Sequence, residues 1–260
     1  MSSVTYIFPA AGKGERFQAA GLNTPKPLIQ VHGVPLLIWA ISNFQITPSD
    51  DVWIISQKKH NLARDLGESW FLKQRQNIKF IELNRFTDGP ADTIYRIIDE
   101  IDKSKPVVIA NTDQFVFEDF SQFINNTKSQ KYSGVILTMS ARGKKWSYIK
   151  RNSANDVSLI KEKEEISQEA TVGIYGFKDG FTLKYALEEM FKKGEKVGNE
   201  FYVAPCYNCL IERNDLVKAF NIGEIEFAVR GTGTPEDLEE FINDKRTEKI
   251  ALLISQKYRL

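Results

Sequence analysis

Residues 8–16 read Phe-Pro-Ala-Ala-Gly-Lys-Gly-Glu-Arg and directly follow a short apolar run, Val4–Phe8. The apolar run predicts a buried β-strand, and the small residues after it predict a tight turn. Backbone N–H groups in such a turn can approach a phosphate chain closely, and the Arg16 guanidinium can hold phosphate oxygens bidentately. The stretch therefore predicts a strand followed by a phosphate-binding turn.

Two common nucleotide-binding motifs do not fit this turn. No Lys-Ser or Lys-Thr pair follows the glycines, so the turn is not a P-loop, and the third glycine of the dinucleotide fingerprint is missing.

A second segment, Thr24-Pro25-Lys26-Pro27-Leu28, follows about ten residues later. Its two prolines restrict the backbone around Lys26, whose compact charge can be directed at a phosphate.

The amino-terminal half alternates apolar runs with segments of helical period. The predicted strands are Val4–Phe8, Asp51–Ser56, Ile78–Leu83 and Lys105–Ala110, and the predicted helices are Pro35–Phe44, Asn61–Gln74 and Ala91–Ile101. Strands that are apolar on both faces and alternate with helices predict a mostly parallel sheet covered on both sides.

The second half has a different pattern. Four successive strands with short polar connections are predicted at Gly134–Ser140, Ser147–Arg151, Val157–Lys161 and Ala170–Phe177. They indicate a mixed or antiparallel extension of the sheet. Helices are predicted at Phe181–Lys192 and Glu200–Glu212, a last strand at Ile225–Val229, and a final helix capped by Thr234 with Pro235 in its first turn.

Composition excludes several classes of protein. The 260 residues include 35 Lys+Arg and 34 Asp+Glu, a net charge of +1, which argues against a nucleic-acid-binding surface. No apolar run approaches the roughly 18 residues of a membrane span, and the first residues lack the basic and apolar regions of a secretory signal. Two cysteines cannot cross-link a fold of this size. We therefore expect a globular cytoplasmic protein that binds neither membranes nor nucleic acid.

The ordered set of motifs resembles the nucleotidyltransferases that activate sugar phosphates. In that family an apolar strand and a glycine-rich turn ending in arginine precede Pro-Lys-Pro-Leu and Gly-x-Pro-Leu segments. Later parts of the resemblance are Gly33–Leu37, Gly89–Thr93, Asn111–Gln114, Glu162-Lys163, Val172–Tyr175, Asn199–Tyr202 and Gly231–Asp237. The segments around Trp146–Tyr148 and Glu200–Val203 are most similar to members encoded with capsule or surface-polysaccharide genes.

This resemblance implies a fold and an activity. The fold is a three-layer α/β/α nucleotide-binding sheet, Rossmann-like and of the GT-A type, mostly parallel, with a mixed acceptor-binding extension. We expect one domain over residues 1–260, with a nucleotide part at about 1–115 and an acceptor part at about 130–235. The activity is transfer of a nucleoside monophosphate from a nucleoside triphosphate to a sugar 1-phosphate, with pyrophosphate released.

The resemblance also assigns roles to residues. Arg16, Lys26 and Asp113 are the expected catalytic residues, and Asp113 is expected to hold Mg²⁺. The expected nucleotide-binding residues are Ala10, Ala11, Gly12, Gly14 and Gly89. The expected acceptor-binding residues are Ser147, Glu162, Lys163, Thr171 and Tyr175. The partners are then a nucleoside triphosphate and a phosphorylated small molecule, and a homo-oligomer is possible.

Two departures from the family pattern leave alternatives open. Many members place an aspartate that serves as a second metal ligand where this chain has Gly231, and Glu226 is a weak substitute. Ser147 stands where well-known thymidylyl enzymes have glycine. The base and the acceptor therefore stay open. The alternatives are a cytidylyltransferase for a non-sugar phosphate, such as phosphocholine or a methylerythritol phosphate, and a catalytically silent nucleotide-sensing protein.

Other conspicuous residues have structural interpretations. Cys206 and Cys209 form a lone Cys-x-x-Cys, and we expect buried free thiols. His32 and His60 lack a nucleophile pattern, so we expect surface or core roles for them. The aromatic residues after Asp113 are expected to pack in the core.

Overall fold

Strands and helices alternate through the described parts of the chain. The computed structural model describes residues 3–67, 77–129 and 131–258. The strands are β1 (Thr5–Ala10), β2 (Gln30–Val31), β3 (Val34–Pro35), β4 (Asp51–Gln57), β5 (Ile78–Leu83), β6 (Val107–Ala110), β7 (Gln114–Val116), β8 (Gly134–Ser140), β9 (Ser147–Arg151), β10 (Val157–Glu162), β11 (Glu169–Phe177), β12 (Val217–Glu224) and β13 (Val229–Gly231).

The α-helices of the described residues lie between these strands and at the carboxyl end. They are α1 (Glu15–Ala19), α2 (Leu36–Ser42), α3 (Leu62–Gly67), α4 (Pro90–Tyr95), α5 (Ser121–Lys128), α6 (Gly180–Lys193), α7 (Tyr207–Glu212), α8 (Ile225–Ala228), α9 (Pro235–Asn243) and α10 (Lys245–Tyr258). Short 3₁₀ helices cover Lys26–Leu28, Lys58–His60 and Ala204–Cys206.

The amino-terminal half forms the parallel part of the sheet. Its strands lie in the order β6-β1-β4-β5, and every neighbouring pair among them is parallel. Tyr6 pairs with Val52 on one side and with Val108 on the other. All four residues of β6 are buried, as expected for a strand covered on both faces. This order is that of the first four strands of the doubly wound nucleotide-binding sheets.

The second half adds an antiparallel extension at the β6 edge. β11 pairs antiparallel with β6, and β8 and β9 pair antiparallel with β11. β10 pairs antiparallel with β9, and β12 pairs parallel with β8. The mostly parallel Rossmann-like sheet with a mixed extension, predicted from the sequence, is confirmed.

Helices cover both faces of the sheet, which gives three layers. Alternate residues of β1 enter different cores, because successive side chains of a strand point to opposite faces. Tyr6 and Phe8 pack in the core beneath α2, α9 and α10, whereas Ile7 packs in the core beneath α4, α6 and α7. In the described residues no helix is long and apolar enough to cross a membrane.

Three predicted elements differ from the structure. The predicted strand Ile225–Val229 is wrong: Ile225–Ala228 is the helical turn α8, and the strand β13 follows it. The predicted helix Glu200–Glu212 begins only at Ala204, because the backbone N–H and C=O of Phe201 bond to Asp88 and Ala91 instead. The predicted helix Ala91–Ile101 is α-helical only to Tyr95, and turns with hydrogen bonds between residues i and i+3 follow.

Some elements lie outside the predictions or outside the described residues. The strands β7, β12 and β13 and the helices α1, α5 and α10 were not predicted from the sequence. The predicted helix Asn61–Gln74 is described only as Leu62–Gly67 (α3), and the rest of it, with Trp70, lies outside the described residues.

The residues with structural interpretations take the expected places. Cys206 and Cys209 are buried free thiols, and burial raises the pKa of each. The aromatic side chains after Asp113 are buried or half-buried in the core beneath α2. His60 is buried, and His32 contacts Thr247 of α10 at 3.0 Å.

Candidate active site

The candidate site lies at the carboxyl ends of the parallel strands. β1 and β6 are neighbours, so the turn after β1 and the segment Asn111–Asp113 after β6 emerge at the same edge of the sheet. In open α/β sheets this edge is where ligands bind. Topology therefore brings together two motifs that are about a hundred residues apart in the chain.

The turn after β1 needs glycine for its backbone. Gly14 has a φ of 70°, a left-handed conformation, although a β-carbon there would meet no atom within 4 Å. Its carbonyl accepts the N–H groups of Phe17 and Gln18, which start α1. Phe17 is buried in the core and anchors this helix, while the neighbouring Arg16 is exposed toward the edge of the sheet.

Lys26 and Asp113 face each other across the site. The Lys26 ammonium lies 3.3 Å from Asp113 Oδ2 and 5.6 Å from the centroid of the Phe17 ring. The Asp113 carbonyl accepts the Thr232 N–H at 2.7 Å, which holds the backbone of the aspartate in place. Asp113 Oδ1 is buried and has no hydrogen-bond partner among the residues that the structure describes. An unpartnered buried carboxylate oxygen is costly, so it fits a cation that binds here.

Two adjoining cavities meet at these residues. The first, here called the loop cavity, has a volume of about 440 Å³ and is lined by Ala11, Gly12, Gly14 and Gly89 among others. The second, here called the strand cavity, has a volume of about 590 Å³. Both cavities are lined by Arg16, Pro90, Asp113, Tyr202 and Gly233.

Four of the five predicted nucleotide-binding residues line the loop cavity, and Ala10 is the exception. The side chain of Ala10 is buried in the core at the end of β1, and the residue lines neither cavity. Gly89 has a φ of 103°, and a β-carbon there would lie 2.7 Å from the Phe201 carbonyl oxygen. Only glycine allows this close approach of two backbones at the edge of the loop cavity.

All five predicted acceptor residues line the strand cavity. They are Ser147, Glu162, Lys163, Thr171 and Tyr175. Ser147 donates a hydrogen bond to Glu162 Oε2, and the hydroxyls of Thr171 and Tyr175 are 3.1 Å apart. Burial raises the pKa of Glu162, and the Ser147 hydrogen bond and the Lys163 charge only partly offset that effect. The strand cavity thus holds a carboxyl group in a poorly solvated place.

Lys163 has an unusual backbone and a tyrosine partner. Its φ is 59°, which is uncommon outside glycine, and its N–H bonds to the Trp146 carbonyl at 2.9 Å. The ammonium donates to the Tyr202 hydroxyl and lies 4.4 Å from the centroid of that ring. Tyr202 in turn donates to Glu200 Oε2 at 2.6 Å.

Several further polar residues line the strand cavity without having been predicted to do so individually, among them Asn111, Gln114 and Tyr202. Gln114 and Asn111 approach Gly173, where a β-carbon would lie 2.5 Å from Gln114 Oε1 and 2.6 Å from Asn111 Nδ2. Gln114 Oε1 is buried, and no described residue is its hydrogen-bond partner. Asn111 and Gln114 are the first and last residues of a segment that belongs to the family resemblance, so both side chains could have been predicted to line this cavity. Tyr202 also belongs to a recognised segment, but nothing in the sequence indicates its contact with Lys163.

A second carboxylate comes from a residue that sequence reasoning missed. Gly231 lines the strand cavity without a side chain, and Glu226 lines a separate surface groove. Instead, Asp237 Oδ2 lies 3.6 Å from the position a β-carbon of Gly233 would take, as does Asp113 Oδ2. Asp237 is in the first turn of α9, and its other oxygen accepts from Lys145 at 2.9 Å.

The donor set suits a metal that is shared with phosphates. Among the described residues no group of three or more His, Cys, Asp or Glu side chains could hold a metal ion. Mg²⁺, however, is usually bound by one or two carboxylates and completes its shell with water and substrate phosphates. Asp113, with its unpartnered oxygen, and Asp237 fit that requirement.

Comparison with protein families identifies the chain. The family model described as "Nucleotidyl transferase" matches residues 7–244. The chain belongs to the nucleotidyl transferase family. This match confirms the family resemblance and the enzyme class that were predicted from the motifs.

The chain is also similar to solved structures and to a curated relative. A nucleoside-diphosphate-sugar pyrophosphorylase from Vibrio cholerae RC9 matches with a TM-score of 0.79 and 25% identity, over 92% of this chain and 100% of that one. An inositol-1-phosphate CTP transferase from T. maritima shares the fold, with a TM-score of 0.71 and 13% identity over 98% and 96% of the two chains. The bifunctional protein GlmU of Methanocaldococcus jannaschii is 24% identical over 174 residues, which are 66% of this chain and 39% of that protein.

Proposed function

We propose that this protein transfers a nucleoside monophosphate from a nucleoside triphosphate to a sugar 1-phosphate and releases pyrophosphate. The observation that carries the proposal is the pair of adjoining cavities that share Arg16 and Asp113. A transfer reaction needs two substrates whose reacting atoms meet, and positioning them supplies much of the rate acceleration. The loop cavity suits the nucleotide and the strand cavity suits the acceptor.

The loop cavity offers groups for a triphosphate. The backbone around Gly12 and Gly14 can donate N–H groups to phosphate oxygens, and Arg16 adds a charged fork. Lys26 is mostly buried, with 19% of its side chain exposed, so its charge acts with little screening on a nearby α-phosphate. Gly89 brings the backbone of its segment to the same cavity, where it can contact the base.

The strand cavity offers groups for a phosphorylated polyol. Glu162 and Gln114 present acceptors, and Asn111 presents an amide, which together match an acceptor rich in hydroxyl groups. Lys163 is held by Tyr202 at the boundary between the cavities, where the acceptor phosphate must lie for attack. One oxygen of that phosphate bonds to the α-phosphorus while the bond from the α-phosphorus to the β-phosphate oxygen breaks, and pyrophosphate leaves.

Mg²⁺ fits beside these groups. Asp113 and Asp237 would hold it, and the ion when bound would neutralise charge on the phosphate oxygens. Lys26 contacts Asp113 Oδ2 and Lys145 contacts Asp237 Oδ1, so a cation holds each of the two aspartates in place. Asp237 would then supply the carboxylate that Gly231 lacks.

The proposal extends to organisation and role. Residues 1–260 form one nucleotidyltransferase domain, with nucleotide-binding residues before about 115 and acceptor-binding residues at about 130–235. The support is that the loop cavity is lined mainly by the first part and the strand cavity mainly by the second. The product would be a nucleoside-diphosphate sugar for surface polysaccharide, which the similarity of the Trp146–Tyr148 and Glu200–Val203 segments to capsule-associated members supports.

One other acceptor class has an observation in its favour. The inositol-1-phosphate CTP transferase of T. maritima shares this fold, and a cyclitol phosphate has the same hydroxyl-rich character as a sugar phosphate. Polar groups such as Glu162 and Gln114 fit both acceptors. A catalytically silent protein is less well supported, because Asp237 lies where the missing carboxylate is needed.

Pyrophosphate release tests the proposal. The purified protein is incubated with Mg²⁺ and each of CTP, UTP, dTTP and GTP against sugar 1-phosphates, inositol 1-phosphate, phosphocholine and methylerythritol phosphate. We expect pyrophosphate release with at least one sugar 1-phosphate. The rate of release should fall by at least about a hundredfold in Lys26→Ala, since one preorganised charge contributes about that much to the rate. Lys79→Ala, far from both cavities, is the control.

Two results would contradict the proposal. Release only with phosphocholine or methylerythritol phosphate would place the protein among cytidylyltransferases for non-sugar phosphates. Nucleotide binding without release from any acceptor would favour the silent nucleotide-sensing protein.

A further inference from the structure

A third cavity adjoins the loop cavity across the glycine turn. It has a volume of about 220 Å³ and is here called the lysine pocket. Its lining includes Gly12, Lys13, Gly14, Lys26, Lys59 and His60. The first four of these also line the loop cavity, so the glycine turn is a wall common to both.

The charge of the lysine pocket is positive. Three lysines line it and no carboxylate does, among the residues that the structure describes. Lys13 has an ion pair with Glu15 at 3.3 Å, but both side chains are more than half exposed, so that pair is weak. Within the described part of the chain Lys59 has no carboxylate at ion-pair distance. Such a pocket favours a small, multiply charged anion.

The ammonium groups of Lys13 and Lys59 converge on one ring. Lys59 Nζ lies 4.7 Å and Lys13 Nζ 5.5 Å from the centroid of Phe86. Phe86 is 45% exposed and lines the loop cavity. Both cations are therefore held at the side of the pocket that faces the proposed nucleotide site.

His60 provides an independent sign of a ligand. It is only 7% exposed, and its Nδ1 is buried without a hydrogen-bond partner in the described ranges 3–67, 77–129 and 131–258. The residue ends the 3₁₀ helix Lys58–His60 directly after β4, and the left-handed Asn61 that follows, with a φ of 49°, turns the chain away from the pocket. Burial and, second, the Lys59 charge lower the pKa of His60. A buried polar atom without a partner is rare enough to need an explanation.

We propose that the lysine pocket binds the terminal phosphates of the nucleoside triphosphate and then the released pyrophosphate, with Lys59 and His60 as contacts beyond the glycine turn. This inference rests on the proposed function for the identity of the donor. Lys26 lines both cavities, so a triphosphate whose α-phosphate lies beside Lys26 and Asp113 reaches the pocket by extending across the turn. Charge that leaves with pyrophosphate would then be neutralised by residues that do not touch the acceptor.

Pyrophosphate itself is the probe, because it requires no knowledge of the base or the acceptor. Calorimetry with magnesium pyrophosphate compares the full-length protein with Lys59→Gln and His60→Asn. We expect each variant to bind pyrophosphate about 10- to 100-fold more weakly, the usual effect of one hydrogen bond to a charged group. The KM for the acceptor, measured with the best substrate pair, should not change.

Matched control variants separate a site effect from a general one. Lys79→Gln removes a lysine that lies over the Trp53 ring at 4.2 Å but lines no described cavity, and His32→Asn removes the other histidine. Both controls should bind pyrophosphate like the wild type. Thermal unfolding checks that the buried His60→Asn variant is folded; if it is not, the exposed Lys59→Gln variant still decides the question.

The outcomes distinguish the two proposals. Wild-type pyrophosphate affinity in Lys59→Gln would overturn the lysine pocket even if the acceptor panel releases pyrophosphate. Weakened pyrophosphate binding in Lys59→Gln supports the pocket even if no acceptor in the panel reacts, and the proposed function then fails alone.

Discussion

Glu162 shows at the scale of one residue how the candidate site differs from the rest of the surface. Its carboxyl group lies in the strand cavity, accepts from Ser147, and has a pKa raised by burial. A poorly solvated carboxyl destabilises the folded protein unless a ligand or a neighbour compensates. A ligand that donates hydroxyl groups to Glu162 provides such compensation, and perturbed carboxyls of this kind cluster at functional sites.

Replacement of Glu162 by glutamine should therefore separate activity from stability. We expect kcat/KM for the acceptor to fall about 10- to 100-fold, because a hydrogen bond to a charged group contributes about 1.5–3 kcal/mol. The KM for the nucleoside triphosphate should stay the same. Steady-state kinetics with each substrate varied in turn measure the difference, and Glu164→Gln, an exposed neighbour, is the control.

The raised pKa of Glu162 predicts that the effect of Glu162→Gln on the melting temperature depends on pH. The folded-state pKa of Glu162 is raised above its ordinary value of 4.5, so the cost of its charge is absent below that pH and increases as the pH rises through the folded pKa. Glu162→Gln should thus melt at a higher temperature than the wild type at a pH of about 7.5, and at the same temperature at a pH of about 4. An equal difference at both values would show that the carboxyl charge is not the cause.

At the next scale, Asp244 links two elements, α10 and β13. It precedes α10 and accepts from the Arg246 N–H at 3.0 Å and from the Arg246 guanidinium at 2.6 Å. Arg230, the central residue of β13, lies 3.1 Å from the same carboxylate. Chiefly because of the Arg246 hydrogen bonds, the pKa of Asp244 falls to about 2. Asp244 thus joins the start of α10 to β13, the strand that leads into the Gly231–Asp237 segment.

Asp244→Asn should destabilise the protein by about 1–2 kcal/mol at neutral pH, since the lowered pKa is a measure of how much the folded state favours the charged form. A depressed pKa stabilises above the ordinary value of 3.8, and the contribution is lost as the pH falls toward 2. Urea unfolding at a pH of about 7 and at a pH of about 3 measures the trend. Asp99→Asn, which removes a carboxylate exposed to 67%, should change little at either pH.

The whole molecule explains why the two cavities meet at Asp113. β6 is the strand at which the sheet changes from parallel to antiparallel, with β1 on one side and β11 on the other. Because β11 runs against β6, Ile174 pairs with Ala110, and the earlier residues of β11 extend beyond the end of β6. Thr171 and Gly173 there line the strand cavity, directly beside the end of the parallel half.

Binding of a nucleoside triphosphate with Mg²⁺ should stabilise the folded state of the whole molecule. A ligand present at about a hundred times its Kd stabilises the folded state by about 2.7 kcal/mol, so the preferred nucleoside triphosphate with Mg²⁺ should raise the Tm by several degrees. EDTA should remove most of the increase, and Asp113→Asn should abolish its dependence on Mg²⁺. A shift that is equal with and without EDTA would exclude the metal role of Asp113.

Local pattern was sufficient for much of the fold. Strands such as Gly134–Ser140 and Ser147–Arg151 have the predicted bounds, because their apolar pattern and flanking turns lie within a few residues. The prediction of a strand at Ile225–Val229 is wrong because it also depended on a short local pattern. Its apolar residues are too few to distinguish a strand from one helical turn, and only the contacts of Ala228 and Val229 with the core decide between them.

What the sequence determined by itself is the alternation of strands and helices around the parallel sheet, the four strands between Gly134 and Phe177, and the identity of Arg16, Lys26 and Asp113 as candidate groups. Only the tertiary structure placed Asp237 near Asp113, Tyr202 against Lys163, and His60 in the lysine pocket. Each of these contacts joins residues far apart in the chain. A sequence motif records the spacing of neighbours along the backbone, whereas the packing of sheet and helices determines which distant side chains meet.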